Sequence, residues 1–148
     1  MRRLATLLCA ILVAGCAAGE LPYPPTLTIQ LPENEFGKFA LLVYDDTGLV
    51  VSGQSGEQVI GGVTQTDVTA TPERNELTVS WTAGACSHQP WLRIKGDPSD
   101  LKLTIAPQPV EISLTPAISC PAIGIPTSVT LVLNEPVAQD DVSITENR

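Results

Sequence analysis

The sequence is poor in the residues that most often carry chemistry. Its 148 residues include one histidine, one methionine, four cysteines and only 8 basic side chains against 16 acidic ones, a net charge of −8. No apolar run reaches the ~20 residues that a membrane-spanning helix needs. The shortage of Lys and Arg argues against nucleic acid, whose affinity comes mainly from basic side chains meeting phosphates. It argues equally against peripheral binding to anionic lipid.

Enzyme motifs are incomplete. Residues 53–57 (GQSGE) resemble a nucleophile elbow but lack the final glycine, and they are predicted to lie in a Gly/Ser loop with no following helix. Residues 99–102 (SDLK) fit the S-x-x-K pattern, but that chemistry needs the serine at the start of a helix, and a strand is predicted here. No glycine-rich phosphate loop is present. We therefore predict no catalytic residue and no cofactor.

Acidic residues cluster where turns are predicted. They could bind calcium at strand ends but lack the regular ligand spacing of a calcium loop, and turn chemistry explains them more simply. The clusters are Asp45 with Asp46, Asp97 with Asp100, and Asp140 with Asp141.

The N-terminus predicts export. Arg2 and Arg3 precede an apolar run at residues 4–13, and small residues follow, which is the order of an export signal. Residues 12–16 (LVAGC) resemble the bacterial lipoprotein signal, in which an aliphatic residue and two small ones precede an invariant cysteine. The resemblance implies diacylglycerol on the thiol of Cys16, cleavage before it, and acylation of the new amino group with a fatty acid such as palmitate. Two or three acyl chains are enough for stable anchoring.

This resemblance divides the chain into three predicted parts. Residues 1–15 are the signal peptide, residues 16–25 are the lipidated cysteine and a Pro-rich tether, and residues 26–148 are a single domain. Without the signal the chain carries 6 basic and 16 acidic side chains, a net charge of −10. The expected location is the cell membrane or outer membrane, with the domain outside the cytoplasm. Because Ala17 is not the aspartate that retains some lipoproteins at an inner membrane, the outer membrane is favoured in a two-membrane cell.

From Thr26 onward the apolar residues recur with a period of two, which is typical of half-buried strands. Residues 39–44 (FALLVY) are apolar on both faces and predict a central strand covered on both sides. The turn at 45–48 (DDTG) predicts a hairpin into residues 49–51. Further strands are predicted at residues 27–31, 77–82, 92–95, 101–105, 110–114 and 129–133.

Turn residues separate about nine or ten such strands, and no segment has a convincing helical stripe. The predicted fold is an all-β antiparallel sandwich, Ig-like in the loose sense, with a closed β-barrel as the alternative. Trp81 continues an alternating run and is predicted to lie in the core. Trp91 has the opposite parity from Leu92 and Ile94, so it is expected at the surface or packed over a disulfide.

The remaining cysteines predict a disulfide. Once Cys16 is lipidated, Cys86 and Cys120 are the only thiols outside the signal, and an even pair in an oxidising compartment favours a bond between them. The alternative is a zinc or copper site made by Cys86, His88 and Cys120, but a structural site usually has four ligands and the fourth is not visible. A catalytic thiol is less favoured still, because there is no second histidine. His88 lies in a polar, turn-like stretch (SHQP) and is expected to be solvated.

Three functions from different classes remain open. The favoured one is a lipid-anchored module that binds another envelope protein, a glycan or a small molecule through loops or a sheet edge. The alternatives are an inhibitor or protective lipoprotein of the envelope, and a hydrolase with an unrecognised site. Binding is favoured because no catalytic residues are visible and the fold commonly serves binding. The stretches 79–86 (VSWTAGAC) and 119–137 (SCPAIGIPTSVTLVLNEPV) also resemble secreted and lipoprotein β domains of bacteria, for which no activity is implied.

Overall fold

The computed structural model describes residues 23–33, 38–56, 66–84, 90–106 and 124–147, which form two packed β-sheets. Two short 3-10 helices, Pro72–Arg74 and Gln139–Asp141, lie in connections. The strands are β1 Leu27–Gln30, β2 Ala40–Asp45, β3 Val50–Ser55, β4 Asp67–Thr71, β5 Glu76–Gly84, β6 Trp91–Asp97, β7 Asp100–Ala106, β8 Gly124–Leu133 and β9 Val142–Glu146.

One sheet has the order β1-β2-β6-β7-β9 and the other the order β3-β8-β5-β4. The predicted all-β sandwich is confirmed, and the two sheets do not close into a barrel over the residues described. The domain resembles Ig domains in having two packed sheets, but its strand order differs from theirs.

The five-stranded sheet is mixed rather than purely antiparallel. β2 pairs with β6 and β7 pairs with β9 in parallel, while all other pairings are antiparallel. The cause is the alternation of direction along the chain. Successive strands reverse, so two strands separated by an even number of steps run the same way. Three strands of the other sheet, β3 to β5, stand between β2 and β6 along the chain and bring β6 back parallel to β2.

The core lies between the sheets and follows the predicted period of two. Alternate residues of each strand point inward and are almost fully buried, and Trp81 is among them at 2% exposed, as predicted. The five-stranded sheet contributes Ile29, Leu41, Val43, Leu92, Ile94, Leu101, Leu103 and Ile105, and the four-stranded sheet contributes Val68, Leu77, Val79, Trp81, Val129, Leu131 and Leu133.

The predicted hairpin after residue 45 is wrong, although the turn itself is present. Gly48 has φ +75 and the carboxylate of Asp45 accepts hydrogen bonds from the turn, including that of the Val50 N–H at 2.9 Å. The chain then crosses to the other sheet, where β3 pairs with β8 instead of β2. Both sides of β2 are occupied by β1 and β6, so no room remains for β3. Residues 39–44 are correctly predicted to form a central strand.

Residues 53–55 were expected in a loop but belong to β3. Gly53 faces the interior, and a Cβ there would lie 2.6 Å from Ile29 Cδ1. The absence of a side chain at Gly53 therefore allows β1 to approach β3 closely. The sequence pattern favours a loop at this glycine, whereas its role is in packing. The strands β4 and β9 were also missed, being short and largely polar. The strand predicted at 110–114 lies outside the described residues.

Candidate functional site

The two ends of the sandwich differ in their connections. The end that we call the turn end carries residues 46–49, 72–75, 98–99 and 134–141, which join consecutive strands. At the opposite end the strands lead into the segments 34–37, 57–65, 85–89 and 107–123, which lie outside the described residues. The odd-numbered strands run from the turn end to the opposite end, and the even-numbered strands run back.

The site residues predicted from sequence all fall outside the described residues: Cys16, Cys86, His88 and Cys120. The neighbouring strand ends nevertheless constrain two of them. Gly84 and Gly124 are directly paired partners of β5 and β8, so Cys86 follows one of two adjacent strand ends by two residues and Cys120 precedes the other by four. At ~3.3–3.6 Å per extended residue the two thiols can meet the Cα separation of ~4.4–6.8 Å that a disulfide needs. The pairing of Gly84 with Gly124 therefore permits the disulfide, which stays a prediction.

Two of the three acidic clusters contain residues with structural partners. Asp45 holds the turn after β2, and Asp100 forms an ion pair with Lys102 at 2.8 Å. Ser99 of the S-x-x-K pattern lies in the turn before β7, at the start of a strand as predicted from sequence. Within the described part of the chain, no three His, Cys, Asp or Glu side chains are grouped so as to hold a metal ion.

The tryptophans occupy different environments. Trp91 is half-buried on the outer face of β6, opposite Leu42 of β2 and Ala106 of β7. Trp81 is in the core, and its indole Nε1 meets no acceptor among the described residues. The alternative prediction, that Trp91 packs over a disulfide, concerns Cys86 and Cys120, which lie outside the described residues.

A polar cluster attaches the N-terminal segment to the outer face of the five-stranded sheet. We call it the clasp, made of Tyr23, Asp46 and Arg93. The Tyr23 hydroxyl donates to Asp46 Oδ1, and Arg93 Nε donates to Asp46 Oδ2 at 2.9 Å. Arg93 Nη2 lies 2.9 Å from the same carboxylate oxygen and donates to the Tyr23 oxygen at 3.1 Å. Each member therefore contacts both of the others.

Ring and backbone contacts reinforce the clasp. The Tyr23 ring packs edge-on against Tyr44 with centroids 5.9 Å apart, and the Arg93 guanidinium lies 5.8 Å from the Tyr23 centroid. Tyr44 points to the outer face of β2 and yet is only 7% exposed, so the N-terminal segment helps to cover it. Thr26 continues the attachment, because its N–H donates to Val43 O at 2.8 Å and its Oγ1 accepts from the Asp45 N–H at 3.1 Å.

At neutral pH the side chains of the clasp are in the protonation states that its hydrogen bonds need. The hydrogen bond from Tyr23 holds the pKa of Asp46 below its usual range, and the Arg93 guanidinium lowers it as well. The hydrogen bond to Asp46 raises the pKa of Tyr23 above its ordinary value. The carboxylate therefore stays charged while the phenol keeps the proton that it donates.

The edge strand β4 is closed by a side chain. The Gln139 amide accepts from the Ala70 N–H at 2.6 Å and donates to Val68 O at 3.0 Å, which imitates a residue of a neighbouring strand. The Val68 N–H, which also points away from β5, donates to the Asp67 carboxylate at 2.9 Å. An edge strand with satisfied backbone groups is protected from pairing with another chain.

The edge strand β3 is open by comparison. Gly56 N–H donates to Ser128 O at 2.8 Å, so by the alternation of an antiparallel ladder the backbone groups of Gly53 and Ser55 point away from β8. The described residues offer these outward groups no partner. The strand sequence VVSGQS carries neither a charge nor a proline, the usual edge protections. A bulge exposes Val51 at 65%, but residues 52–55 beyond it are in regular register.

We expect Gln139→Ala to cost about 0.5–1.5 kcal/mol of unfolding free energy, because two hydrogen bonds at a partly exposed edge are lost. The opened β4 edge should also increase self-association at high protein concentration. Urea denaturation and sedimentation velocity measure the two effects. Asp140→Asn, a change at the exposed neighbouring position, is the control and should leave both unchanged.

Comparison with protein-family models, with curated proteins and with solved structures finds no match to this chain. The resemblance to bacterial lipoproteins therefore stands on the sequence motif at Cys16. Among the residues that the structure describes, no helix has the length and apolar character needed to cross a membrane.

Proposed function

We propose that this protein is a lipid-anchored envelope protein whose sandwich binds an extended segment of another envelope polypeptide by adding it to the free edge of β3. The anchor is the acylated Cys16 implied by the lipoprotein-like signal. The observation that carries the binding role is the difference between the two edges of the four-stranded sheet. A side-chain amide closes the β4 edge, while the outward backbone groups of β3 have no partner among the residues that the structure describes.

Strand addition suits these residues. Backbone hydrogen bonds supply affinity in this mode, and they need only an extended segment with an exposed N–H and C=O at every second residue. Gly53 and Ser55 offer the matching groups two residues apart on β3. The lack of charge along β3 means that no like-charge repulsion opposes an acidic or a basic partner segment.

Ser55→Pro tests this proposal. The substitution removes an outward N–H that β8 does not use, so the fold should be retained, while a partner strand loses one hydrogen bond and meets the proline ring. The measurement is hydrogen exchange of the Gly53 amide in the mature protein, with and without solubilised membrane proteins from the producing cell. We expect protection in the wild type and at least a tenfold loss of protection in Ser55→Pro.

Two comparisons sharpen the result. Gln54→Lys changes an exposed side chain of β3 and leaves the edge backbone intact, so protection of Gly53 should persist. Protection that rises with protein concentration in the absence of membrane proteins would identify the occupant as a second copy of this chain. Equal protection of Gly53 in Ser55→Pro and in the wild type would exclude the β3 edge.

A further inference from the structure

We infer that the turn end of the sandwich faces the membrane, and that the opposite end, with its long connections, points away from it. This inference rests on the proposed lipid anchor at Cys16. It adds an orientation to that anchor, because the clasp attaches the chain to the domain at one end only.

The length of chain before the domain limits how far it can stand from the bilayer. The chain becomes attached at Tyr23, whose partner Asp46 lies in the turn end. Residues 17–22 are then the only residues between the acylated cysteine and the clasp. Six extended residues reach at most about 20 Å. If the opposite end lay on the lipid, the clasp would stand about the length of the longest strand above it, ~33 Å for the 10 residues of β8, and the tether could not reach the bilayer.

The clasp is suited to hold this orientation. A single exposed ion pair contributes little to stability, ~0–1 kcal/mol. Here three mutually bonded side chains act together with an aromatic contact and with the two hydrogen bonds of Thr26. The attachment involves two strands, because Asp46 follows β2 and Arg93 belongs to β6. The chain is therefore held to the domain from Tyr23 onward, and only the residues before it are left to form the tether.

The charge of the turn end determines how it meets the lipid. Its acidic side chains are the exposed Glu73, Glu135 and Asp140 and the half-buried Asp141, with Asp97 and Asp100 flanking the β6–β7 turn. The basic side chains near this end are fewer: Arg74 and Lys102 lie beside Glu76 and Asp100, and Lys95 is the partner of Lys102 in register. An acidic end is repelled by an anionic leaflet. The orientation therefore follows from the short tether and not from adsorption of the turn end, which repulsion holds off the lipid as far as the tether allows.

This orientation places the β3 edge in a defined direction. β3 runs from the turn end at Val50 to the opposite end at Ser55, so it points away from the membrane along its length. A segment added to that edge would run along the membrane normal. The partner must therefore offer an extended segment that stands perpendicular to the bilayer, for example at the root of another anchored protein.

Energy transfer from the domain to labelled lipid tests the orientation. Ser99→Cys places a donor dye at the turn end and Lys38→Cys places it at the opposite end, and both positions are exposed. The full-length acylated protein is inserted into phosphatidylcholine vesicles that carry a headgroup-labelled acceptor. We expect transfer from position 99 to exceed transfer from position 38 at least twofold. Tyr23→Ala leaves the chain attached at Thr26 and lengthens the tether by residues 23–25, so it should narrow the difference between the two positions. Thr28→Ala, an exposed change on β1 outside the clasp, should not.

The outcomes separate the orientation from the anchor. If neither donor transfers energy and the protein stays in solution, the lipid anchor itself is wrong. If the protein is bound but position 38 transfers as much as position 99 or more, the anchor stands and the orientation is overturned. If the difference survives Tyr23→Ala unchanged, the clasp is not what holds the domain.

Discussion

Replacing Cys16 with alanine should abolish lipidation and leave the protein unprocessed or freely soluble. The lipoprotein-like signal implies that this thiol carries the diacylglycerol and that cleavage before it exposes the amino group for a further acyl chain. The sequence after residue 15 carries a net charge of −10, which anionic lipid repels, and the described residues contain no membrane-spanning helix.

Labelling with an alkyne fatty acid and fractionation of the envelope measure the effect. The wild type should carry the label and sediment with membranes, whereas Cys16→Ala should carry none and be unprocessed or soluble. Cys9→Ala is the matched control, because Cys9 is the other cysteine of the N-terminal region and lies within the predicted signal. Label that survives in Cys16→Ala, or label that disappears in Cys9→Ala, would contradict the assignment.

Loss of the Cys86–Cys120 bond should lower the unfolding free energy by about 2–4 kcal/mol, a large share of the stability of a domain of this size. The predicted bond would close a ring of 35 residues, from 86 to 120. That ring leaves the four-stranded sheet at the end of β5, passes through β6 and β7 of the other sheet, and returns beside β5 at β8. The bond would link the ends of two neighbouring strands of one sheet, and the ring that it closes would contain two strands of the other sheet. Loss of so long a ring enlarges the unfolded ensemble more than the loss of a short one would.

The double variant Cys86→Ala/Cys120→Ala and thermal melting test this prediction. We expect a melting temperature lower by several degrees, and the same fall when the wild type is reduced. His88→Ala is the control and should cost under ~0.5 kcal/mol, as surface changes usually do. Two free thiols in the oxidised, folded, metal-free protein would refute the pairing. Zinc or copper bound in a one-to-one ratio and lost in His88→Ala would instead identify the Cys86, His88 and Cys120 metal site.

Some features of the candidate surfaces had a sequence signal and others did not. The turn chemistry of Asp45 and the core position of Trp81 follow from local rules, namely turn propensity and strand parity, and the structure confirms both. The clasp had no such signal. Tyr23 is separated from Asp46 by 23 positions and from Arg93 by 70, so only the folded chain brings the three together. Gln139 likewise has no distinguishing feature in the sequence. Its role appears only in the folded chain, where it lies beside Ala70 of β4, 69 positions away.

What the sequence by itself determined is local: the strand positions with a clear period of two, the face of each strand that is buried, and the signal-like residues before Cys16. Each depends on residues within a few positions of one another, where backbone geometry and side-chain parity leave little choice. The tertiary structure alone decided which strands pair, why β3 leaves β2 for the other sheet, and which edge stays open. Those outcomes depend on competition among distant strands for the same neighbours. A turn such as Asp45–Gly48 has the same local chemistry whether it leads into a hairpin or across to a second sheet.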